Sequence, residues 1–159
     1  MDVGTLPIDP DSEGFSGRIV RKLDDKGRVV LPAGSWRSHF AAGAKLTPWS
    51  GCLALWTLRS YRMACTYLRQ QVRDGDIDPS VLEDFREDAV DVKADTQGRL
   101  QLPDDLRAEV GIDGAQGTEV LLSGQDDHVQ VWNPQHRAER RRGRSPEMAQ
   151  AAIERLRRY

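Results

Sequence analysis

The sequence predicts an α+β fold in which two copies of a β-hairpin–helix–strand unit share one barrel. Three observations predict it. The phrase DDKGRVVLP (24–32) returns as DTQGRLQLP (95–103), with Asp, Gly, Arg, Leu and Pro repeated at a constant offset of 71. By composition, five identities in such a window arise roughly once in a chain of this size, so the phrase alone decides little. A second, collinear match decides it: LALW (53–56) and VQVW (129–132) follow the two prolines at similar distances. Finally, neither unit can bury its own apolar face, so the two must pack together. Interleaving their strands removes exposed sheet edges and sets the two turns on one side of a pseudo-twofold pair.

The elements follow in order. Residues 1–15 contain Gly4, Pro7, Pro10 and Gly14 with little apolar periodicity and read as a flexible leader. GRIVRKLD (17–24) alternates, with Ile19 and Leu23 on one face and Arg21 on that same apolar side. RVVLP (28–32) is β-branched and stops at a proline, and Asp24–Gly27 between the two strands suits a hairpin turn. A short helix around Trp36 and Phe40 ends at Gly43, and CLALW (52–56) is a strand. Residues 59–72 place Tyr61, Cys65, Leu68 and Val72 on one helical face. In 78–89, Asp78 is a candidate N-cap, Pro79 opens the first turn, and Leu82, Phe85 and Ala89 form a stripe. The second unit repeats the pattern: strand, turn, strand and proline over 91–103, a helix over 104–112, then strands at 119–124 and 128–132. Ser145-Pro146-Glu147 opens a last helix with Met148, Ala152, Leu156 and Tyr159 on one face.

Charge divides the chain unevenly. The net charge is −2, yet residues 1–135 hold 15 Lys/Arg against 22 Asp/Glu, whereas 136–159 hold 8 against 3. Such a balance leaves room for a nucleic-acid partner, because the position of the positive charge matters more than its sum. No apolar run approaches the roughly 20 residues of a membrane span, and the acidic N-terminal residues do not read as a signal peptide. Cys52 and Cys65 form no CxxC pair and read as buried reduced thiols, in keeping with a cytoplasmic protein. No metal or cofactor is expected, and no catalytic motif is present; His39, His128 and His136 are scattered, and His128 reads as a packed histidine. The chain is therefore not expected to be an enzyme.

The duplicated turn carries the chemistry. Lys26 and Arg28 are matched by Gln97 and Arg99, a compact set of donors. Arginine bonds a guanine edge bidentately and glutamine an adenine edge, while lysine and backbone amides suit phosphates. Gly27 and Gly98 let the backbone come close. Asp24 and Asp95, each four residues before its arginine, can orient it. One such turn is an ordinary charged hairpin; two matched turns suit paired contacts with DNA.

GRIVRKLDDKGRVVLP, DTQGRLQLP and LSGQDDHVQVWN (122–133) resemble the MraZ family of bacterial transcription regulators. The resemblance covers residues 17 to about 135, with both D-x-x-x-R signatures intact as Asp24–Arg28 and Asp95–Arg99. It implies two tandem SpoVT-AbrB repeats at 16–58 and 91–135, a helical connection at 59–90, and a swapped-hairpin (double-ψ-like) barrel. It also implies a ring-shaped homo-oligomer, cytoplasmic and nucleoid-associated, that binds direct repeats of a short G-rich box upstream of division and cell-wall genes. The DNA-contacting role carries onto Lys26, Gly27, Arg28, Gln97, Gly98 and Arg99, with Asp24 and Asp95 as supports.

This chain departs from that pattern in its leader, in one extra residue in LPAGSWR around Gly34 or Ser35, and in the arginine-rich 137–144 with the helix after it. Residues 136–159 form a basic tail with a terminal helix. That segment supports the rival reading, a non-catalytic adaptor that docks the helix on another protein, although packing against the chain's own surface is the simpler expectation.

Overall fold

The computed structural model describes residues 14–158. The first unit runs β1 (Arg18–Lys22), β2 (Arg28–Val30), α1 (Ser35–Phe40), β3 (Ala44–Trp49), β4 (Cys52–Thr57). Helices α2 (Leu58–Arg73) and α3 (Pro79–Glu87) follow. The second unit runs β5 (Val90–Val92), β6 (Arg99–Gln101), α4 (Asp104–Glu109), β7 (Glu119–Gly124), β8 (His128–Trp132). Helices α5 (Pro134–Arg142) and α6 (Pro146–Arg157) close the described chain.

The strands form a six-stranded antiparallel sheet in the order β1-β7-β8-β4-β3-β5 and a separate β2–β6 ladder. Exchanging the two units maps this order onto itself, because β1 corresponds to β5, β3 to β7 and β4 to β8. The register obeys the same symmetry. In the central pair Leu53 faces Val131 and Leu55 faces Val129, and in the small ladder Arg28 faces Gln101 and Val30 faces Arg99. The duplication read from sequence is thus a structural duplication with interleaved strands.

Two expectations change in detail. Asp24–Gly27 is a tight turn, but it does not join a paired hairpin: β1 pairs with β7 and β2 with β6. Leu23 and Val29, on either side of the turn, both enter the main core, and the chain changes sheets between them. Nor does one continuous hydrogen-bonded barrel form among the described residues, since β1 and β5 remain the edges of the larger sheet. Strands β2 and β6 have three residues each and run into Pro32 and Pro103, which cannot continue a ladder, so they pair with each other.

The main core gathers Leu23, Val29, Leu31 and Phe40 with their counterparts Ala94, Leu100, Leu102 and Val110 and the inner faces of β3, β4, β7 and β8. Strand β4 is buried along its whole length, which explains why CLALW reads as a continuous apolar run. Its other face, Ala54 and Trp56, packs with Ala64, Cys65 and Leu68 of α2 and Phe85 of α3. Asp78 caps α3 by accepting from the Ser80 amide at 2.9 Å. Cys52 and Cys65 are buried free thiols; burial pushes Cys52 up to about 12, and its Sγ lies 2.9 Å from the Trp49 carbonyl. His128 is buried and stacks on Trp56 at 4.5 Å between ring centroids.

Strand β3 escapes the sequence reading because of Pro48. Strand β5 pairs with β3 only at Ala44–Leu46, so Pro48 lies on a stretch with one open edge, where a missing amide is tolerated. The leader also ends earlier than composition suggests. Phe15 is buried, stacks on Phe40 at 5.1 Å, and exchanges backbone hydrogen bonds with Asp126; residues 1–13 lie outside the described residues.

The basic segment is not a simple tail. It holds helix α5, capped by Asn133, whose Oδ1 accepts from the amides of Gln135 at 2.9 Å and His136 at 3.3 Å. Arg137 and Arg140 both stack on Trp132 at 5.4 Å. Helix α6 does not pack back on its own chain: none of its residues is buried. Its Ser145 cap accepts from the Met148 amide at 3.1 Å, as the Ser-Pro-Glu opening predicts, and Tyr159 lies outside the described residues.

Candidate nucleic-acid interface

The two signature turns have nearly the same geometry. In the first, Asp24 Oδ1 accepts from the amides of Lys26 and Arg28, both at 2.9 Å, and Oδ2 accepts from Arg28 Nε at 2.7 Å. In the second, Asp95 Oδ1 accepts from the amides of Gln97 and Arg99, both at 2.9 Å, and Oδ2 accepts from Arg99 Nε at 2.6 Å. One carboxylate therefore fixes both the turn and the arginine that leaves it. The Arg28 amide is the main reason the Asp24 carboxyl lies below the ordinary carboxylate range, aided by the Lys26 amide and the Arg28 guanidinium against desolvation. The Arg99 amide does the same for Asp95.

The ladder between the turns aims these side chains. Val29 and Leu100 point into the core, so Arg28 and Val30 of β2 and Arg99 and Gln101 of β6 share the opposite face. Lys26 and Gln97 are exposed at the turn tips. Of the positions singled out from sequence, Lys26, Arg28, Gln97 and Arg99 thus gather around one small face.

Gly27 and Gly98 are placed differently. Both are buried with positive φ, 72° and 78°, and each is covered by a guanidinium from the helix of the opposite unit. A methyl carbon on Gly98 would stand 2.6 Å from Cζ of Arg37 in α1. One on Gly27 would stand 3.4 Å from Nη2 of Arg107 in α4. The close approach that each glycine permits is therefore to an arginine of this same chain. Arg37 Nη2 donates to the Leu31 carbonyl at 2.9 Å, and Arg107 Nε donates to the Leu102 carbonyl at 3.0 Å while Nη2 pairs with Asp104. Backbone bonds run the same crosswise route, Leu31 N to Gly98 O at 2.8 Å and Leu102 N to Gly27 O at 3.4 Å.

Sequence reasoning missed Arg37, Arg107 and Gln101. Arg37 follows Pro32 by five residues and Arg107 follows Pro103 by four, so the extra residue in LPAGSWR breaks the 71-residue offset that would have matched them. That residue is absorbed before the helix, at Gly34 (φ 92°), and α1 keeps the same six-residue length as α4. Gln101 Nε2 donates to the Lys26 carbonyl at 2.9 Å, tying the end of β6 to the first turn.

Comparison with known proteins bears on this arrangement. The "Transcriptional regulator MraZ" of Thermomicrobium roseum is 32% identical over 127 residues, spanning 77% of this chain and 83% of that protein. The chain belongs to the MraZ family. MraZ regulators of an Arthrobacter species and of Dehalococcoides mccartyi are each 30% identical, over 126 and 125 residues, spanning 82% of either protein. The family model described as "MraZ protein, putative antitoxin-like" matches residues 85–140. That match runs from the end of α3 through β8 into α5. Residues 136–140, which sequence reading left outside the MraZ pattern, therefore lie within it.

Proposed function

We propose that the chain is a sequence-specific DNA-binding transcription regulator that reads duplex DNA with the outer face of the β2–β6 ladder. The observation that carries this reading is the pair of Asp-held arginines on one solvent-facing ladder. Each ion pair engages Nε and leaves the Nη edge of Arg28 or Arg99 to meet O6 and N7 of a guanine. Lys26 and the turn amides suit phosphates, and Gln97 suits an adenine edge or the backbone. The two arginines are offset by two residues along antiparallel strands, roughly 7 Å, about two base-pair steps. Asp24 and Asp95 orient the arginines, and Gly27 and Gly98 let the opposite unit buttress the turns that carry them.

On this reading, residues 16–58 and 91–135 are two SpoVT-AbrB repeats joined by 59–90, with their strands paired crosswise. The naming of the relatives as transcriptional regulators supports transcription regulation rather than catalysis. The resemblance extends the reading to a ring-shaped homo-oligomer that engages direct repeats of a short G-rich box upstream of division and cell-wall genes, within the nucleoid. Among the described residues no helix is long and apolar enough to cross a membrane. Selection of bound duplexes from a random pool at near-physiological salt tests the reading. Enrichment of a repeated box containing guanines is expected, and recovery of an unenriched pool contradicts it.

A further inference from the structure

A cleft of about 370 Å³ opens between the β3–β4 turn, α3 and the end of α4. Its lining is apolar at Trp49, Val81, Phe85 and Val110, and acidic at Asp84, Asp88 and Glu109. Helix α6 has the complementary character. Met148 and Leu156 are 73% and 72% exposed, Ile153 is 46% exposed, and Ala152 lies between them on the same stripe. At 3.6 residues per turn, Arg155 borders this stripe beside Met148 and Arg157 borders it beside Ile153.

We infer that α6 of one copy seats its apolar stripe in this cleft on a second copy, with Arg155 and Arg157 against the acidic rim. The wider charge distribution favours the same docking: residues 136–159 hold 8 Lys/Arg against 3 Asp/Glu, while 74–95 hold 9 acids against Arg86 and Lys93. Asp88 caps the C-terminal end of α3 and Glu109 ends α4, positions where the helix dipole favours a cation. No residue of α6 is buried in its own chain, so its stripe is available to a partner. Because helix and cleft are different surfaces of one chain, the contact can repeat head-to-tail from copy to copy, and such a repeat closes into a ring when the rotation permits. The inference rests on the homo-oligomer part of the proposed function and is independent of the DNA-reading turns.

Sedimentation velocity on the full chain tests it, with two charge-reversal variants, R155E/R157E and D84K/D88K. All four positions are exposed, and far-ultraviolet circular dichroism with a thermal melt verifies that each variant is folded. The wild type should sediment above its 17.9 kDa monomer mass, and each variant alone should be monomeric at the same concentration. An equimolar mixture should reassemble, since the first variant keeps the cleft, the second keeps the helix, and the reversed charges of one complement those of the other. A monomeric wild type overturns both this inference and the homo-oligomer reading. An assembled wild type with variants that also assemble overturns the interface alone. Folded, monomeric variants that stay monomeric when mixed also overturn it.

Discussion

At the scale of single residues, the two signature turns depend on carboxylates that bond backbone and side chain together. Asp24 and Asp95 each hold two amides and one arginine, which is why an acid sits in a turn proposed to meet a polyanion. The glycines answer a different need, admission of a guanidinium across the pseudo-twofold. Gly75 isolates that effect, because it has nearly the same φ as Gly98, 78°, and no atom within 4 Å of an added Cβ. Left-handed backbone strain should cost Gly75→Ala about 1–2 kcal/mol. Gly98→Ala pays that strain and also displaces Arg37 from the Leu31 carbonyl, for about 1 kcal/mol more. Urea unfolding of both variants reads the difference; equal losses would mean that the guanidinium contributes nothing. Asp, Gly and Arg were legible as a repeated phrase. Their buttress was not, because one inserted residue before α1 hid the match between Arg37 and Arg107.

At the scale of elements, caps and edges explain what sequence reading found and what it missed. Helices α2, α3 and α6 announce themselves by apolar spacing or by an N-cap before proline, and their positions agree with expectation within a residue or two. Helix α5 carries the same start signal, Asn133-Pro134, but has no apolar stripe, since its packing is cationic: Arg137 and Arg140 lie over Trp132. Asn133 occupies the place after β8 that Thr57 occupies after β4, and both cap the helix that follows. Asn133 also donates through Nδ2 to the Gly111 carbonyl at 2.8 Å, fastening α5 to the end of α4. Replacing it with Ala should lower stability by about 1–2 kcal/mol. A thermal melt of Asn133→Ala indistinguishable from the wild type would show that α5 needs no anchor.

At the scale of the whole molecule, duplication does most of the organising. Within each unit only the last two strands pair, β3 with β4 and β7 with β8, while the first two strands pair across the units: β2 finds β6, β1 finds β7 and β5 finds β3. That exchange brings Arg28 and Arg99, 71 positions apart, onto one ladder. The periodicity of the sequence made the copies visible, while the exchange of strands between them depended on contacts between distant residues that no local pattern encodes. Symmetry also shapes the functional expectation: either arginine alone should read only part of a site, and neither should be dispensable. The most direct measurement is the affinity of wild type, Arg28→Ala and Arg99→Ala for a selected duplex and for an unrelated one, by fluorescence anisotropy at several salt concentrations. Each substitution should weaken the selected duplex by about 1–3 kcal/mol and narrow the gap between the two duplexes, in a protein that melts as the wild type does. Folded variants that keep both affinity and discrimination would contradict the account.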